Sequence, residues 1–469
     1  MGKSTQAVSA PAPADTAAAP APAGAGRATI RMYRQGLGDC FLVTLNLGPQ
    51  PYRILIDCGV ILGTPNAATT MTKVAQDILD TTGGTIDLLV GTHEHWDHLS
   101  GFLQARAVFD RITFKEVWLG WTEDPDSADA QKLGATRAAA VSALTIAEAH
   151  LRQSDTPSAL QAADETRDML DFFGPGPRAA PDGNGGGDGP GLAAAGGTTS
   201  DALEYVRGRT PKPRYARPTD PPATPIPGVR IFTLGPPLDP KFLKQSDPAA
   251  GQAYGIDAVD IFLDTFGADL AKGDRPPFAA SHVIPIEIAR HQPFFAERYF
   301  ARDQARRNID TTWLEPASDL ALKLDSDTNN TSLVLAIELE GKDVLLFAAD
   351  AQIGNWLSWA TLSWPLDGAT VTGPDLLRRT IVYKVGHHGS HNATLKPGGL
   401  DIMDALKYAL IPVDAAMALK KRWGRMPLTE LVDELTKRTQ GAILRIDQPA
   451  PTGVSSAVLA TDLYYELTV

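Results

Sequence analysis

Cysteine is scarce in this chain of 469 residues, because it occurs only at Cys40 and Cys58. Two cysteines exclude a small scaffold held together by several disulfides, and their spacing excludes a Cys-x-x-Cys pair. No apolar run approaches the ~18 residues of a membrane-spanning helix, so we expect no association with a membrane. The first residues also lack the continuous apolar core of a secretory signal. These absences together favour a cytoplasmic protein.

Positive charge is also in short supply. The 43 Lys and Arg residues face 55 Asp and Glu residues, which gives a net charge of −12. Tight binding to duplex DNA needs a basic face that releases counterions. The charge balance therefore argues against extended duplex DNA as a partner, although it leaves room for a local anion site.

Glycine and proline are concentrated in a few segments. Residues 1–27 are rich in alanine and proline and have almost no large apolar side chain, which predicts a disordered tail. A glycine-rich loop is predicted at 178–200. Between these segments, short apolar strands alternate with helical stretches, beginning at Ala28 and including the strand RILIDCG and the helix VAQDILDTTG. This order predicts an α/β (α+β) layered fold.

The strongest chemical signal is the loop 92–101, which follows a predicted buried strand. It carries the pattern H-x-H-x-D-H in His93, His95, Asp97 and His98. On a sharp loop, His93 and His95 can close on one metal ion, and Asp97 and His98 can face a second. Zn²⁺, Mn²⁺ and iron ions take nitrogen and carboxylate ligands of this kind. The spacing excludes the helical HExxH motif of zincins.

Two more strand ends add candidate ligands. His387 and His388 follow the predicted strand TIVYKV, with His391 three residues further on. Six of the nine histidines therefore lie in two strand-end loops. Asp350 ends the strand VLLFAAD, where a buried carboxylate is costly unless it is paired or bound to metal. Asp350 can bridge two ions, and the alternative is a cap on the following helix.

The set of motifs resembles the metallo-β-lactamase superfamily of metal-dependent hydrolases, in particular its ComEC-like branch without a transmembrane competence domain. The resembling segments are GLGDCF (36–41), LIDCG (55–59), LGPP (234–237), NNTSLV (329–334) and HHGS (387–390). The match covers about 28–110, 229–237 and 325–440. It implies a four-layer αββα sandwich with a one- or two-metal site between its sheets.

The resemblance also implies roles for individual residues. It gives His93 and His95 to one ion, Asp97 and His98 to the other, Asp350 to a bridge between them, and His387 or His388 to the second site. Asp57 would orient a histidine ligand, while Asn329 and Ser332 would support the site or the substrate. The expected cofactors are one or two divalent ions, Zn²⁺ or Mn²⁺. Many superfamily members supply a further histidine to the first metal, and His150, His282 and His291 all lack the strand-end context for that role.

Two stretches depart from the compact family pattern within a hydrolase domain predicted at 28–469. We interpret about 111–228 and 238–325 as insertions, which can form a lid or recruit a protein partner. In the second, the stretch 293–300 predicts a hydrophobic packing helix, with a substrate wall as the alternative. The basic and aromatic run 420–425 indicates either a solvated helix end or a phosphate contact.

The sequence therefore predicts a metal-dependent hydrolase that attacks an ester with a metal-activated water. We expect Asp97, Asp350 and His388 to have the catalytic roles. The resemblance points to a phosphodiester or related ester, and the acidic balance favours a small-molecule or nucleotide-like one. Two alternatives are a carbonyl hydrolase (lactonase, thioesterase or β-lactamase-like) on the same site and a metal-binding scaffold whose insertions recruit a partner.

Overall fold

A computed structural model describes residues 26–154, 156–175, 197–245, 284, 286–301, 304, 316–366, 368–452 and 456–469. Residues 1–25 of the predicted tail, residues 178–196 of the predicted glycine-rich loop, and His282 lie outside the described residues. Arg27, at the end of the predicted tail, forms an ion pair with Asp343. No helix in the described ranges is long and apolar enough to cross a membrane.

The strands belong to two large sheets and one small ribbon. They are β1 (Ala28–Tyr33), β2 (Cys40–Leu45), β3 (Tyr52–Cys58), β4 (Thr85–Val90), β5 (Thr113–Gly120), β6 (Arg214–Ala216), β7 (Val229–Gly235), β8 (Val334–Leu339), β9 (Asp343–Phe347), β10 (Ser363–Leu366), β11 (Ala369–Thr372), β12 (Thr380–Lys384), β13 (Tyr408–Ile411), β14 (Ile443–Arg445), β15 (Val458–Ala460) and β16 (Tyr464–Thr468). The first sheet has the order β15-β16-β1-β2-β3-β4-β5-β6 and the second the order β14-β13-β12-β9-β8-β7. Strands β10 and β11 pair only with each other.

The helices lie between these strands in the chain. They are α1 (Ala67–Thr82), α2 (Trp96–Gln104), α3 (Arg106–Phe109), α4 (Ala128–Leu151), α5 (Pro157–Leu170), α6 (Thr199–Arg207), α7 (Pro240–Leu243), α8 (Ile286–His291), α9 (Pro293–Arg298), α10 (Ala317–Asn329), α11 (Ile353–Trp359), α12 (Gly373–Arg378), α13 (Ala415–Lys420) and α14 (Thr429–Thr439). Short 3-10 turns at Trp121–Glu123, Asp171–Phe173, Gly386–Gly389 and Leu400–Ile402 complete the regular structure.

The two large sheets face each other across a shared apolar core. Successive side chains of a strand point to opposite faces, so Ile54 and Ile56 of β3 enter this core while Leu55 points away from it. The opposing sheet contributes Leu335 and Ile337 from β8 to the same core. Burial on both faces of a sheet explains why these strands are continuous apolar runs in the sequence.

Helices cover the outer face of each sheet. Helices α1, α2, α3 and α6 pack on the first sheet, and α4, α5 and α10 to α14 contribute to the cluster outside the second. Buried alanines of α4 and α5, among them Ala147 and Ala159, belong to the same apolar cluster. The chain is therefore a mixed α/β protein in which strands from both sheets are sandwiched between helices.

Some segments differ from their expected surroundings. Strands β5 and β6 lie inside the range 111–228 and are nonetheless strands of the first sheet, paired with each other in parallel.

The predicted helix at 293–300 is present as α9, but no residue of it is buried, and Phe294 is 69% exposed. The expectation of a hydrophobic packing helix there was wrong, because an apolar stretch packs only where a neighbouring surface meets it.

Candidate metal centre

The candidate ligands are brought together at the ends of strands from both sheets. The loop after β4 carries His93 and His95, and the first turn of α2 carries Asp97 and His98. The segments after β9 and β12 carry Asp350 and the His387-His388 pair. Strands β9 and β12 are parallel neighbours, so their ends meet at one edge of the second sheet. The amide of Leu333 donates to the carbonyl of Thr92 at 2.8 Å and ties the loops of the two sheets together.

Two glycines allow a close approach of the chain to α2. A side chain at Gly38 would place its Cβ 2.5 Å from the carbonyl oxygen of Asp97, and one at Gly59 would also collide with that residue. The amide of Asp39 donates to the same carbonyl at 3.0 Å. The GLGD and LIDCG segments therefore need their glycines to bring Asp39 and Asp57 beside the cluster.

Four side-chain atoms converge in the centre of the site. The Nε2 atom of His388 lies 2.9 Å from Oδ2 of Asp97 and 3.3 Å from Oδ2 of Asp350. The Nε2 atom of His98 lies 3.2 Å from Oδ2 of Asp350 and 3.7 Å from Oδ2 of Asp97. Ligand atoms held roughly 2.0–2.1 Å from a tetrahedral ion lie about 3.3 Å from one another. These four separations are close to that value, so the atoms are near enough to one another to share an ion.

The hydrogen bonding of the cluster also supports a shared ion. The Nε2 atom of His98, Oδ2 of Asp350 and Oδ1 of Asp97 are buried and have no hydrogen-bond partner among the described residues. Unpaired buried polar atoms are costly, and an ion is a partner that Nε2 of His98 and Oδ2 of Asp350, 3.2 Å apart, can share. Asp39 belongs to the same compact group with His98, Asp350 and His388. Its Oδ2, however, is 2.5 Å from Nζ of Lys384, which makes it the counter-ion of that amine.

Three of the histidines have their second ring nitrogen held from outside the cluster. Nδ1 of His98 lies 2.8 Å from Oδ2 of Asp57, and Nδ1 of His388 lies 2.9 Å from the carbonyl of Pro412. Nδ1 of His93 lies 3.1 Å from the Thr92 hydroxyl. Such outer partners fix the tautomer and the orientation of a metal-binding imidazole. They leave Nε2 of each ring directed at another candidate ligand, which is Asp350 for His98, Asp97 for His388 and His95 for His93.

His93 and His95 form a second pair beside the four-atom cluster. Nε2 of His93 and Nδ1 of His95 lie 3.0 Å apart, close enough to share an ion. The hydroxyl of Ser332 lies 3.4 Å from Nδ1 of His93 and accepts from the backbone amide of Asp350 at 3.2 Å. Ser332 thus joins this pair to Asp350. Neither His150 nor His291 approaches the pair, since each is exposed on a surface helix.

His387 has a different position from its neighbour His388. Its Nδ1 lies 2.8 Å from the Ser390 hydroxyl, and its Nε2 lies 3.3 Å from Nδ2 of Asn329. His387 lines a cavity of about 470 Å³, while His388 points into the four-atom cluster. Of the two histidines, His388 belongs to the compact group that could hold an ion, and His387 lines the cavity.

Backbone strain is concentrated at the centre. Of the eight non-glycine residues with positive φ in the described ranges, four adjoin the site: Asp57, Ala349, His387 and His388. A left-handed conformation costs a residue with a side chain about 1–3 kcal/mol and persists where surrounding contacts impose it. The strained conformations at Asp57 and His388 direct these two side chains toward the other candidate ligands.

The buried charges of the centre are strongly unbalanced. The carboxylates of Asp39, Asp57, Asp97 and Asp350 are each at most 1% exposed, and the buried side chain with a permanent positive charge among them is Lys384. Burying unpaired carboxylates is expensive, so the site favours additional positive charge. A divalent ion or protonated imidazoles can supply it.

Protonated imidazoles balance the carboxylates when no ion is bound. Burial works to lower the pKa of His388, but the carboxylate of Asp350 and that of Asp97 outweigh it and raise the pKa to about 10. Burial also works to lower the pKa of His98, but the carboxylates of Asp350 and Asp97 outweigh it and hold that pKa well above its usual range. By contrast, burial lowers the pKa of His95 to about 3 and that of His387 to about 4. Protons and an ion therefore compete for His98 and His388.

Three residues at the site were not among the sequence-predicted ligands. Asp39 ends the GLGD motif, and Lys384 ends the strand before the histidine pair, so both had a positional signal. Nζ of Lys384 lies 3.3 Å from Oδ1 of Asp350 as well as 2.5 Å from Asp39. Asp325 had no such signal, because it is one of several aspartates along α10. It is nevertheless 2% exposed and has its Oδ1 3.8 Å from Nε2 of His95.

The first predicted insertion lies against this centre. Its residues Phe172 and Phe173 pack on the ring of His95, with ring centroids 5.3 and 5.0 Å away. Arg137 of α4 is buried and forms ion pairs with Glu94, which lies between the two histidines of the His-x-His motif, and with Glu123. Residues of this predicted insertion therefore contact the His-x-His segment directly.

In comparisons with known proteins, the chain matches none of the protein-family models and none of the curated proteins. What stands on the structure itself is a mixed α/β protein whose buried His/Asp cluster can hold a divalent metal ion.

Proposed function

We propose that this protein is a metal-dependent hydrolase of the metallo-β-lactamase type, acting on a phosphodiester or a related ester. The observation that carries the proposal is the convergence of the His98 and His388 rings with the carboxylates of Asp97 and Asp350, with 2.9–3.7 Å between ring nitrogen and carboxylate oxygen. The helix-covered pair of sheets and the loops at strand ends agree with the αββα sandwich that the motifs resemble. Such a site at strand-end loops suits catalysis because the scaffold beneath it is rigid.

In this proposal Asp97, His98, Asp350 and His388 hold one ion, and His93 with His95 provides a place for another. A bound divalent ion supplies Lewis acidity and lowers the pKa of water at the site. Lys384 holds Oδ1 of Asp350, which leaves Oδ2 directed at the two histidines. Asp57 and the Pro412 carbonyl keep the rings of His98 and His388 in the required orientation.

His387 and its neighbours are placed to bind the substrate. The ring lines the cavity and is held through Ser390 and Asn329, so its position is fixed before a ligand enters. A neutral imidazole has one donor and one acceptor nitrogen. His387 is therefore suited to orient an ester oxygen next to the ions, and His388 to bind metal.

Metal content and hydrolysis of bis(p-nitrophenyl) phosphate with Mn²⁺ or Zn²⁺ test the proposal. We expect Asp350→Ala and His388→Ala to lose both bound metal and activity. His387→Ala should keep the metal and lose activity, and His150→Ala is the matched control that should keep both. Full metal binding without turnover of this ester or of a chromogenic lactone would contradict the hydrolase proposal.

A further inference from the structure

The cavity of about 470 Å³ lies beside the centre, because its wall includes His387, whose ring centroid is 6.2 Å from that of His388. His98, Asp350 and His388 are each 0% exposed, so a substrate needs a route past the neighbouring residues. The cavity is lined by α5 and α10 and by the segments after β12 and α13, including Asp325, Asn392 and Trp423. A space of this size admits a small molecule and excludes a folded or double-stranded polymer.

Two polar atoms in the lining residues have no partner. Oδ1 of Asp325 and Nε1 of Trp423 are buried and make no hydrogen bond with any described residue. The other oxygen of Asp325 accepts from Nδ2 of Asn329 at 3.0 Å. Its Oδ1 is 3.8 Å from His95, too far for a hydrogen bond. Two residues of the cavity lining thus carry one unpaired acceptor and one unpaired donor, which a ligand with both kinds of group could satisfy.

The charges of the lining restrict that ligand further. Besides Asp325, the cavity is lined by Glu165, Asp168 and Asp319, against Lys421 and Arg422. Lys421 is already paired with Asp171, and Arg422 lies 3.2 Å from Asp168. The two cations are thus committed to aspartates, and the remaining lining favours hydrogen-bond donors over a further anion.

We infer that this cavity binds the alcohol part of a small ester, and that this alcohol carries a hydrogen-bond donor, an ammonium or a hydroxyl group, for Asp325. Trp423, whose ring stacks on Phe172 with centroids 4.4 Å apart, donates from Nε1 to an oxygen of the same ligand. The inference rests on the proposed hydrolase function, because it places the scissile ester at the adjoining cluster.

Three synthetic phosphodiesters test the inference: the p-nitrophenyl esters of propyl, 3-hydroxypropyl and 3-aminopropyl phosphate. With the Mn²⁺-loaded protein, we expect KM to be about tenfold lower for the aminopropyl ester than for the propyl ester, with the hydroxypropyl ester between them. Asp325→Asn should remove most of the preference for the amine. Trp423→Phe should raise KM for all three esters about threefold with kcat unchanged.

Asp327→Asn is the matched control, because Asp327 lies on the same helix and pairs with Lys323. It should keep the preference of the unmodified protein. Turnover of the three esters with equal KM would overturn the inference and leave the proposed function standing. A second outcome would also overturn the inference. If Asp325→Asn loses part of its metal, and the fraction that retains metal still prefers the amine, then Asp325 acts on His95 and not on the substrate.

A binding measurement separates the inference from catalysis. Calorimetric titration of the metal-loaded protein with 3-aminopropyl phosphate and with propyl phosphate needs no turnover. We expect about tenfold tighter binding of the amine. Equal affinities would overturn the inference, whereas a clear preference without hydrolysis of any ester would uphold the cavity's role and contradict the proposed function.

Discussion

The side chains of Asp97 and His388 meet at 2.9 Å although 291 positions separate them in the chain. Asp97 lies in the first turn of α2, beside the first sheet, and His388 follows a strand of the second sheet. The contact therefore forms only when the two sheets pack on each other. Metal binding at this contact is expected to be coupled to the tertiary fold, because neither half of the chain holds the full ligand set.

Substitution of Asp57 tests whether an outer carboxylate tunes the ligands. Asp57 accepts hydrogen bonds from the Thr92 amide at 2.8 Å and from its hydroxyl at 2.6 Å, and it lies 2.8 Å from Nδ1 of His98. Removal of such a partner typically weakens metal binding 10–100-fold, roughly. We expect that loss for Asp57→Asn in a chelator competition assay. Exposed Asp80→Asn is the control, and equal affinities of the two variants would contradict the role.

Metal uptake should release protons. Without an ion, the carboxylates of Asp350 and Asp97 raise the pKa of His388 to about 10 and that of His98 well above its usual range, against the effect of burial. Both rings are then protonated at neutral pH, and a ligand nitrogen must lose its proton before it binds metal. Binding at pH 7 should therefore release about two protons, and the apparent affinity should rise with pH.

Calorimetry in buffers of different ionisation enthalpy measures this release. His387→Ala is the control, because burial lowers the pKa of His387 to about 4 and its ring has no proton to lose at pH 7. This variant should release the same number of protons as the unmodified protein. Binding without proton release would show that His98 and His388 are neutral before the ion arrives.

Arg137 connects the first insertion to the metal motif and should be important for stability. It is 8% exposed and pairs with Glu94 and Glu123. Its removal leaves buried carboxylates without a partner, which typically costs about 3–5 kcal/mol. We expect Arg137→Met to lower the free energy of unfolding by about that amount in urea. Arg152 is the control, because it follows the last residue of the same helix and its side chain is 43% exposed in an ion pair with Glu148. Arg152→Met should lower the free energy of unfolding by less than about 1 kcal/mol. Similar losses in both variants would contradict the importance of burial.

The positions of the candidate ligands could be predicted from short stretches of sequence. A buried apolar strand followed by a polar loop predicted the positions of His93 to His98, Asp350 and the His387-His388 pair, because strand ends place such loops at a sheet edge. The structure brings these loops together at the ends of β4, β9 and β12. The roles given to these side chains remain predictions that the experiments above address.

Other features depend on packing that no local pattern contains. The sequence could not choose between His387 and His388, because the choice depends on the turn with φ of 40° and 49° at these residues. Asp325 and Asp327 are both aspartates of α10. Asp325 lies beside His95 of the loop after β4, whereas Asp327 pairs with Lys323 of its own helix. Phe294 of α9 was expected to pack and is 69% exposed, because no described surface covers it.

Lys384 should oppose metal binding while it stabilises the metal-free protein. Its amine is 1% exposed and lies 2.5 Å from Asp39 and 3.3 Å from Asp350. Lys384→Met leaves both carboxylates without their cation, so we expect the metal-free protein to lose about 3–5 kcal/mol of stability. A divalent ion replaces the missing charge at Asp350, and ligands that bind only the folded state stabilise it. The rise in melting temperature on addition of Zn²⁺ or Mn²⁺ should therefore be larger in Lys384→Met than in the unmodified protein. Lys73→Met, an exposed lysine of α1, should leave both quantities unchanged. An equal or smaller rise in Lys384→Met would show that the amine does not act on the ion through Asp350.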